Sequence, residues 1–254
     1  MNLSICTTNY NCGHILETHL DSVWKQLEHL DFEYIVGDSK SRDGSPEIFR
    51  DWSKNHANLF LYSKRCTMGE GRQIALSYSR GQHILVVDTD VVYSGLLRRF
   101  IEKYLDTCAR FSVQAVFAGI FPRDQWIRAG GRRSLNTNED VDLWLRVHLL
   151  GSMRWYPVPM GENIKEASAW GMSDHLSQRY PKEERILRLV RREWDLLKTR
   201  EVNLTDLSAL IAANTIDLGL GQIPGPWPQH RFRESRIQHV MGFVRELRRT
   251  LLTE

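Results

Sequence analysis

Cysteine is scarce and unpatterned in this chain. Cys6, Cys12, Cys66 and Cys108 are the only four in 254 residues, and they are scattered without the spacing of a zinc site, so a metal-knuckle or disulfide-stapled scaffold is excluded. No apolar run is long enough to span a bilayer and no secretory leader opens the chain. The expectation is a soluble, cytoplasmic protein with free thiols. An excess of one charge is also missing. The formal net charge is +3, too near balance to imply a nucleic-acid partner. There is no internal repeat and no low-complexity tract. No Gly-x-x-x-x-Gly-Lys-Ser/Thr loop occurs, which argues against an NTPase. The stretch Gly69-Glu70-Gly71 begins like a dinucleotide fingerprint but lacks the third glycine and the tight strand-to-helix turn, which makes a hydride-transfer enzyme a distant alternative.

What is present is an α/β rhythm. Residues 3–8 read as a first strand ending in Thr8-Asn9-Tyr10. Ile15, Leu16, His19, Leu20, Val23, Trp24 and Leu27 then recur at helical spacing. Residues 32–36 form a second strand, and Ser45-Pro46 reads as a helix cap followed by proline at the first helical position. A third strand covers 59–62, a loop with Arg72 leads into a helix near 72–79, and a fourth strand covers 83–87. A helix carrying Leu96, Leu97, Phe100, Ile101 and Leu105 precedes one apolar strand over 113–121. Such alternation predicts a doubly wound, mostly parallel sheet.

The fourth strand runs straight into Asp88-Thr89-Asp90. Alternation along an extended segment sends both carboxylates the same way. Two such oxygen donors beyond a buried parallel strand suit Mg2+ or Mn2+ shared with ligand phosphates. Asp38 directly follows the second strand and is placed to accept a base N–H or ribose hydroxyls. Arg72 is placed to meet phosphate. Plain turn chemistry accounts for Asp43-Gly44.

Taken in order, residues 7–11, 21–26 and 35–44, the Val87-Asp88-Thr89-Asp90 run, and residues 123–131 followed by 138–146 resemble the family 2 glycosyltransferases. The resemblance covers about the first 150 residues and implies a GT-A fold: α/β, Rossmann-like and doubly wound, with a helical C-terminal extension. The division expected is a nucleotide-sugar-binding and catalytic domain over 1–175 and the extension over 176–254. By resemblance Asp38 contacts the donor base, usually uracil, with Thr8, Asn9, Tyr10 and Arg72 beside it. Asp88 and Asp90 are the metal pair, Asp90 the direct ligand and Asp88 nearer the ribose or sugar. Asp140 is the catalytic base, with Glu139 next to it at a helix N-terminus that stabilises anions. His175 is a candidate further metal ligand, as a histidine is in some GT-A enzymes. The activity implied is inverting transfer from a nucleotide-sugar, UDP-linked by preference, to a glycan, lipid-linked or small-molecule acceptor. Mn2+ or Mg2+ is the expected cofactor.

Several positions depart from the family pattern. Thr7-Thr8 stands for a proline-threonine pair, with Asn9 inserted before Tyr10, and Lys40 replaces a common glycine. Arg132 and Arg133 follow the double glycine where an aromatic and an acid are usual, which points to an anionic acceptor. Beyond Gly151 the resemblance fades. Residues 154–158 read as one more strand, 183–199 as an amphipathic helix, and the segment after Pro228 as a basic amphipathic helix. That last helix is suited to peripheral contact with the cytoplasmic membrane face or to self-association. The rival readings are a nucleotidyltransferase, which would need a basic phosphate loop that residues 7–13 do not offer, and a nucleotide-sugar-binding module without turnover.

Overall fold

The computed structural model of this chain describes residues 2–136, 139–163, Leu187 and 213–220. Strands β1 (Leu3–Asn9), β2 (Phe32–Asp38), β3 (Leu59–Ser63) and β4 (His83–Val87) alternate with helices α1 (Gly13–Leu27), α2 (Ser45–Asn55) and α3 (Met68–Tyr78). There follow β5 (Val91–Tyr93), α4 (Gly95–Thr107), β6 (Ser112–Val116), β7 (Ala118–Pro122), α5 (Arg123–Arg128), α6 (Glu139–Leu149), β8 (Met153–Pro159) and β9 (Gly161–Asn163). Seven strands make one sheet in the order β3-β2-β1-β4-β7-β6-β8, and β5 pairs with β9 in a separate ribbon. The pairs β1–β2, β1–β4 and β2–β3 are parallel. The chain winds outward through β2 and β3, then returns to lay β4 on the other side of β1. That reversal leaves a crevice at the carboxyl ends of β1 and β4, where ligands bind in open α/β sheets.

Both faces of the sheet are covered, which is why its central strands read as continuous apolar runs. Ile5, Tyr34, Val36, Leu85 and Val87 join Leu16, Leu20 and Val23 of α1, Phe49 of α2 and Phe100 and Ile101 of α4 in one core. The alternate residues Cys6, Ile35, Ile84 and Val86 join Ala75 and Leu76 of α3, Trp126 of α5 and Leu143 and Val147 of α6 in the other. Each fully buried large side chain contributes about 1.5–3 kcal/mol of transfer free energy. The period-2 alternation thus divides a short sequence between two helical layers.

Two local expectations are corrected. The single strand expected over 113–121 is a hairpin: β6 and β7 are antiparallel to each other, and β7 is antiparallel to β4. Phe117 reverses the chain at φ +67°. No glycine or asparagine marks that reversal, so the apolar run conceals it. Ser45 does not cap α2. Gly44 occupies the cap position at φ +86°, and Ser45 is the first helical residue. The Ser45 N–H and hydroxyl instead both donate to Asp43 Oδ1, at 3.1 and 2.6 Å.

Past residue 175, a short piece of chain returns to the sheet. The Trp155 N–H donates to the Asn214 carbonyl at 3.1 Å and the Ile216 N–H to the Trp155 carbonyl at 2.8 Å, and Leu218 is buried in the first core. His175, the helix expected at 183–199 and the basic terminal helix lie outside the described residues. Among the described residues no helix is long and apolar enough to cross a membrane.

Candidate active site

Three strand ends meet at the crevice. In the β1–β2 register Asn9 stands opposite Asp38, and Asn9 Nδ2 donates to Asp38 Oδ1 at 3.0 Å. Asp38 is fully buried. Its Oδ1 also accepts from the Ser41 hydroxyl at 2.5 Å, and its Oδ2 from the Ser41 N–H at 3.1 Å and the Ser63 hydroxyl at 3.0 Å. Four donors therefore hold this carboxylate and shape the loop after β2. Lys40 in that loop adopts φ +57°, the left-handed conformation for which glycine is the ordinary choice.

At the end of β4, the Thr7 hydroxyl of β1 donates to the Val87 carbonyl at 2.8 Å. This fixes the strand from which Asp88 and Asp90 emerge. Asp90 is 4% exposed, and Asn163 Nδ2 of β9 donates to its Oδ1 at 3.4 Å. Asp88 is more open: it sits at the mouth of the crevice and accepts a hydrogen bond from Arg72.

Arg72 is not in a loop, as the sequence suggested. It lies in the second turn of α3, whose start is set by a capping box: the Glu70 N–H donates to the Thr67 hydroxyl at 3.2 Å and the Thr67 N–H to Glu70 Oε2 at 2.8 Å. This reciprocal arrangement is legible in Thr67-x-x-Glu70. The helix can approach the strand ends because Gly71 has no side chain. A Cβ there would stand 2.1 Å from Thr8 Oγ1. Buried Arg72 then spends its two terminal nitrogens on two carboxylates from remote parts of the chain. Nη1 donates to Glu139 Oε1 and Nη2 to Asp88 Oδ1.

Glu139 opens α6 and is itself buried, and Arg132 Nη1 approaches the same oxygen at 3.4 Å. Burial and the adjacent Asp140 push the Glu139 carboxyl up, against the pull of Arg72 and Arg132. Burial disfavours the Arg72 charge, yet Glu139 and Asp88 together hold its guanidinium above the ordinary arginine value. Arg132 is pushed down to about 10 by burial and by Arg72. The arginine expected to face an acceptor is thus turned inward, its guanidinium 5.2 Å from the Trp126 ring centre, because the buried Glu139 carboxylate and an aromatic face are nearby. Arg133 does stay exposed, and it pairs with Asp142 at 3.1 Å. Arg146 Nη2 donates to Asp142 at 2.5 Å and its Nη1 to the Gly131 carbonyl at 2.7 Å. This clamps the double-glycine turn, where Gly130 and Gly131 take φ +81° and +69°.

Asp140 is half-buried and accepts the Val141 N–H at 2.9 Å. It directly follows Glu139 in the first turn of α6, and its charge favours the charged forms of Arg72 and Arg132 and opposes ionisation of Glu139. The structure therefore brings Thr8, Asn9, Asp38, Arg72, Asp88, Asp90, Glu139 and Asp140 around one crevice. Tyr10 is half-buried on the loop that follows β1. Asn163 and Arg132 were missed as neighbours of the acidic residues. Arg132 was legible as a departure from pattern; Asn163 carried no signal.

A mostly parallel seven-stranded sheet with a switch point beside β1, and with Asp88 and Asp90 just past the end of β4, defines an α/β protein of GT-A architecture. The chain matches the model of Glycosyl transferase family 2 over residues 4–160 and belongs to that family. It is similar to a mannosyltransferase of Pyrobaculum calidifontis solved with GDP-Man and Mn2+, at TM-score 0.58 and 17% identity, over 98% of this chain and 73% of that one. S. aureus TarS residues 1–349 with UDP-GlcNAc gives TM-score 0.55 at 15% identity, over 84% of this chain and 71% of that one. These likenesses show the fold. In sequence, a poly(ribitol-phosphate) beta-glucosyltransferase of Bacillus spizizenii is 31% identical over 94 residues, which are 35% of this chain and 15% of that protein.

Proposed function

We propose that this glycosyltransferase takes its sugar from a nucleotide-sugar, a UDP-sugar by preference, and transfers it with inversion to an acceptor hydroxyl with the help of Mn2+ or Mg2+. The observation that carries the reading is the Arg72 bridge. It ties Asp88, at the start of the Asp88-Thr89-Asp90 turn, to Glu139 at the acidic start of α6, a segment remote from it in sequence. The donor set fits a hard divalent cation, being two carboxylates one residue apart at a strand end. Among the described residues no third His, Cys, Asp or Glu joins them in a cluster, as in sites that are completed by ligand phosphates. Asp90 and Asp88 would hold the ion, which supplies charge neutralisation at the leaving diphosphate.

The remaining work falls to side chains of this chain. Asp38, Asn9 and the loops they brace would seat the base. Glu139 is committed to two guanidinium groups, which leaves Asp140 as the carboxylate able to take the proton of the acceptor hydroxyl. Arg72 would hold that base at a fixed distance from the donor side. Peripheral membrane contact or self-association would belong to the C-terminal helices, and His175, in the loop before them, would be a further metal ligand. The likeness to the Bacillus poly(ribitol-phosphate) glucosyltransferase puts a polyol-phosphate polymer first among acceptors to test, and exposed Arg133 is the candidate contact for its phosphates.

The test is a panel of UDP- and GDP-sugars with Mn2+, read by thermal shift and by nucleotide release. Asp88→Asn and Asp90→Asn should abolish release. Asp140→Asn should lower transfer by about 10²–10⁴-fold, the usual worth of a general base, while nucleotide binding survives. Retention of more than a tenth of the rate in Asp140→Asn would remove that residue from its role.

A further inference from the structure

The ladder between β4 and β7 stops abruptly. Its last rung pairs Val87 with Ala118, after an unbroken run that starts at His83 and Pro122. In that antiparallel register the next rung would join Asp88 to Phe117. A side chain stands there instead. The Asp88 N–H donates to the Tyr93 hydroxyl at 3.0 Å, and the same hydroxyl donates to the Phe117 carbonyl at 2.7 Å. The phenol replaces a direct backbone bond with a two-step relay, and so spreads the two strands at the residue where the chain leaves the sheet for the crevice.

Everything around Tyr93 holds it in that place. It is 3% exposed, and its N–H donates to the Ser22 hydroxyl at 3.0 Å, which in turn donates to the His19 carbonyl at 2.7 Å. The His19 ring packs edge-on against it at 5.8 Å, while His19 Nδ1 is 2.8 Å from the Val91 carbonyl. On the other side the relay ends on Phe117, a bulky residue in the left-handed region. Such a conformation persists only where its surroundings enforce it. The carbonyl of the strained residue is the one the phenol captures.

We propose that Tyr93 is a positioning residue for the donor site: its hydroxyl wedges β4 from β7 one residue early, which frees Asp88 to project into the crevice. This rests on the reading of the Asp88-Thr89-Asp90 turn given above. Without the hydroxyl, the Asp88 N–H and Phe117 carbonyl are left to pair directly or to lose the partner that joined them, and either outcome withdraws or loosens Asp88.

The experiment measures calorimetric binding of UDP and of GDP, each with Mn2+, to the full chain in four forms: wild type, Tyr93→Phe, Asp88→Asn and Phe100→Leu. Phe100 is a buried core residue on α4 and serves as a stability control, compared at a temperature where every form is folded by circular dichroism. Tyr93→Phe should weaken binding of the nucleotide that wild type prefers by about tenfold or more, and Phe100→Leu by less than twofold. Binding by Tyr93→Phe within twofold of wild type, or an equal loss in Phe100→Leu, overturns the proposal. Should Tyr93→Phe fail to fold, Ser22→Ala removes the anchor of the Tyr93 backbone while sparing the phenol. It should weaken binding about threefold, and unchanged binding there refutes the wedge. Failure of the underlying reading looks different: wild type then binds neither nucleotide, or Asp88→Asn binds as wild type does.

Discussion

Replacing Arg72 by methionine removes a guanidinium that bridges two carboxylates while roughly keeping its volume. The two halves of the bridge differ in environment. The Glu139 side chain is 3% exposed, and that of Asp88 is 35% exposed. Stranding a buried partner costs about 3–5 kcal/mol, whereas a pair open to water to the extent of Asp88 contributes at most about 1 kcal/mol. Arg132, 3.4 Å from Glu139, keeps part of the compensation, so the deficit should lie near the lower end, about 3 kcal/mol. For a chain of this length that corresponds to a Tm lower by about 6–12 °C. The deficit should also depend on pH. Losing Arg72 raises the folded-state pKa of Glu139 further above its unfolded value, so the folded protein binds that proton more tightly than the unfolded chain. The penalty is then absent below about pH 4.3, the free glutamate value, and grows as pH rises through the folded pKa. Urea denaturation followed by circular dichroism at pH 5 and pH 8 reads both quantities. A deficit below about 1 kcal/mol at pH 8, or one equal at both pH values, would refute the idea that Arg72 compensates a buried charge.

Two further outcomes follow from buried groups near the site. His19 is pushed down to about 4 from its ordinary 6.5, chiefly by burial, with the Tyr34 hydroxyl 2.7 Å from Nε2. A lowered folded pKa means the neutral ring stabilises the fold above pH 6.5, and this contribution is lost as pH falls toward 4. Its full size is about 3 kcal/mol. His19→Gln should therefore lose about 2–3 kcal/mol less than wild type between pH 7.5 and 4.5 in urea titrations, and parallel losses would count against a neutral buried imidazole. Gly71→Ala puts a methyl 2.1 Å from Thr8 Oγ1 and 2.9 Å from Thr8 Cβ. Such overpacking costs about 1–3 kcal/mol, so its thermal melt should fall by several degrees, and a wild-type melt would show that α3 has room to retreat.

Much of the crevice was legible because its information is local. Short apolar runs ending in Asn9, Asp38 and Asp88 name strands and their carboxyl ends, and parallel packing then forces those ends together. The helical position of Arg72 was also written in the chain, in the Thr67 and Glu70 capping box, although the preceding glycine-rich stretch suggested a loop. The hairpin within 113–121 was hidden for a different reason. Phe117 is a poor residue for a left-handed turn, and the hydrogen bond to its carbonyl and the packing of its ring against the first core hold it there.

By itself the sequence determined the α/β order, the two-faced burial of the central strands and the acidic residues at the strand ends, since each depends on neighbours a few positions apart. Tertiary structure alone decided that Arg72 joins Asp88 to Glu139, that Arg132 turns inward onto Trp126, and that Tyr93 takes the place of a backbone rung. Those choices set the cost of burying a charge or an N–H group against the partners available across the fold, a balance that does not exist until remote segments have been brought together.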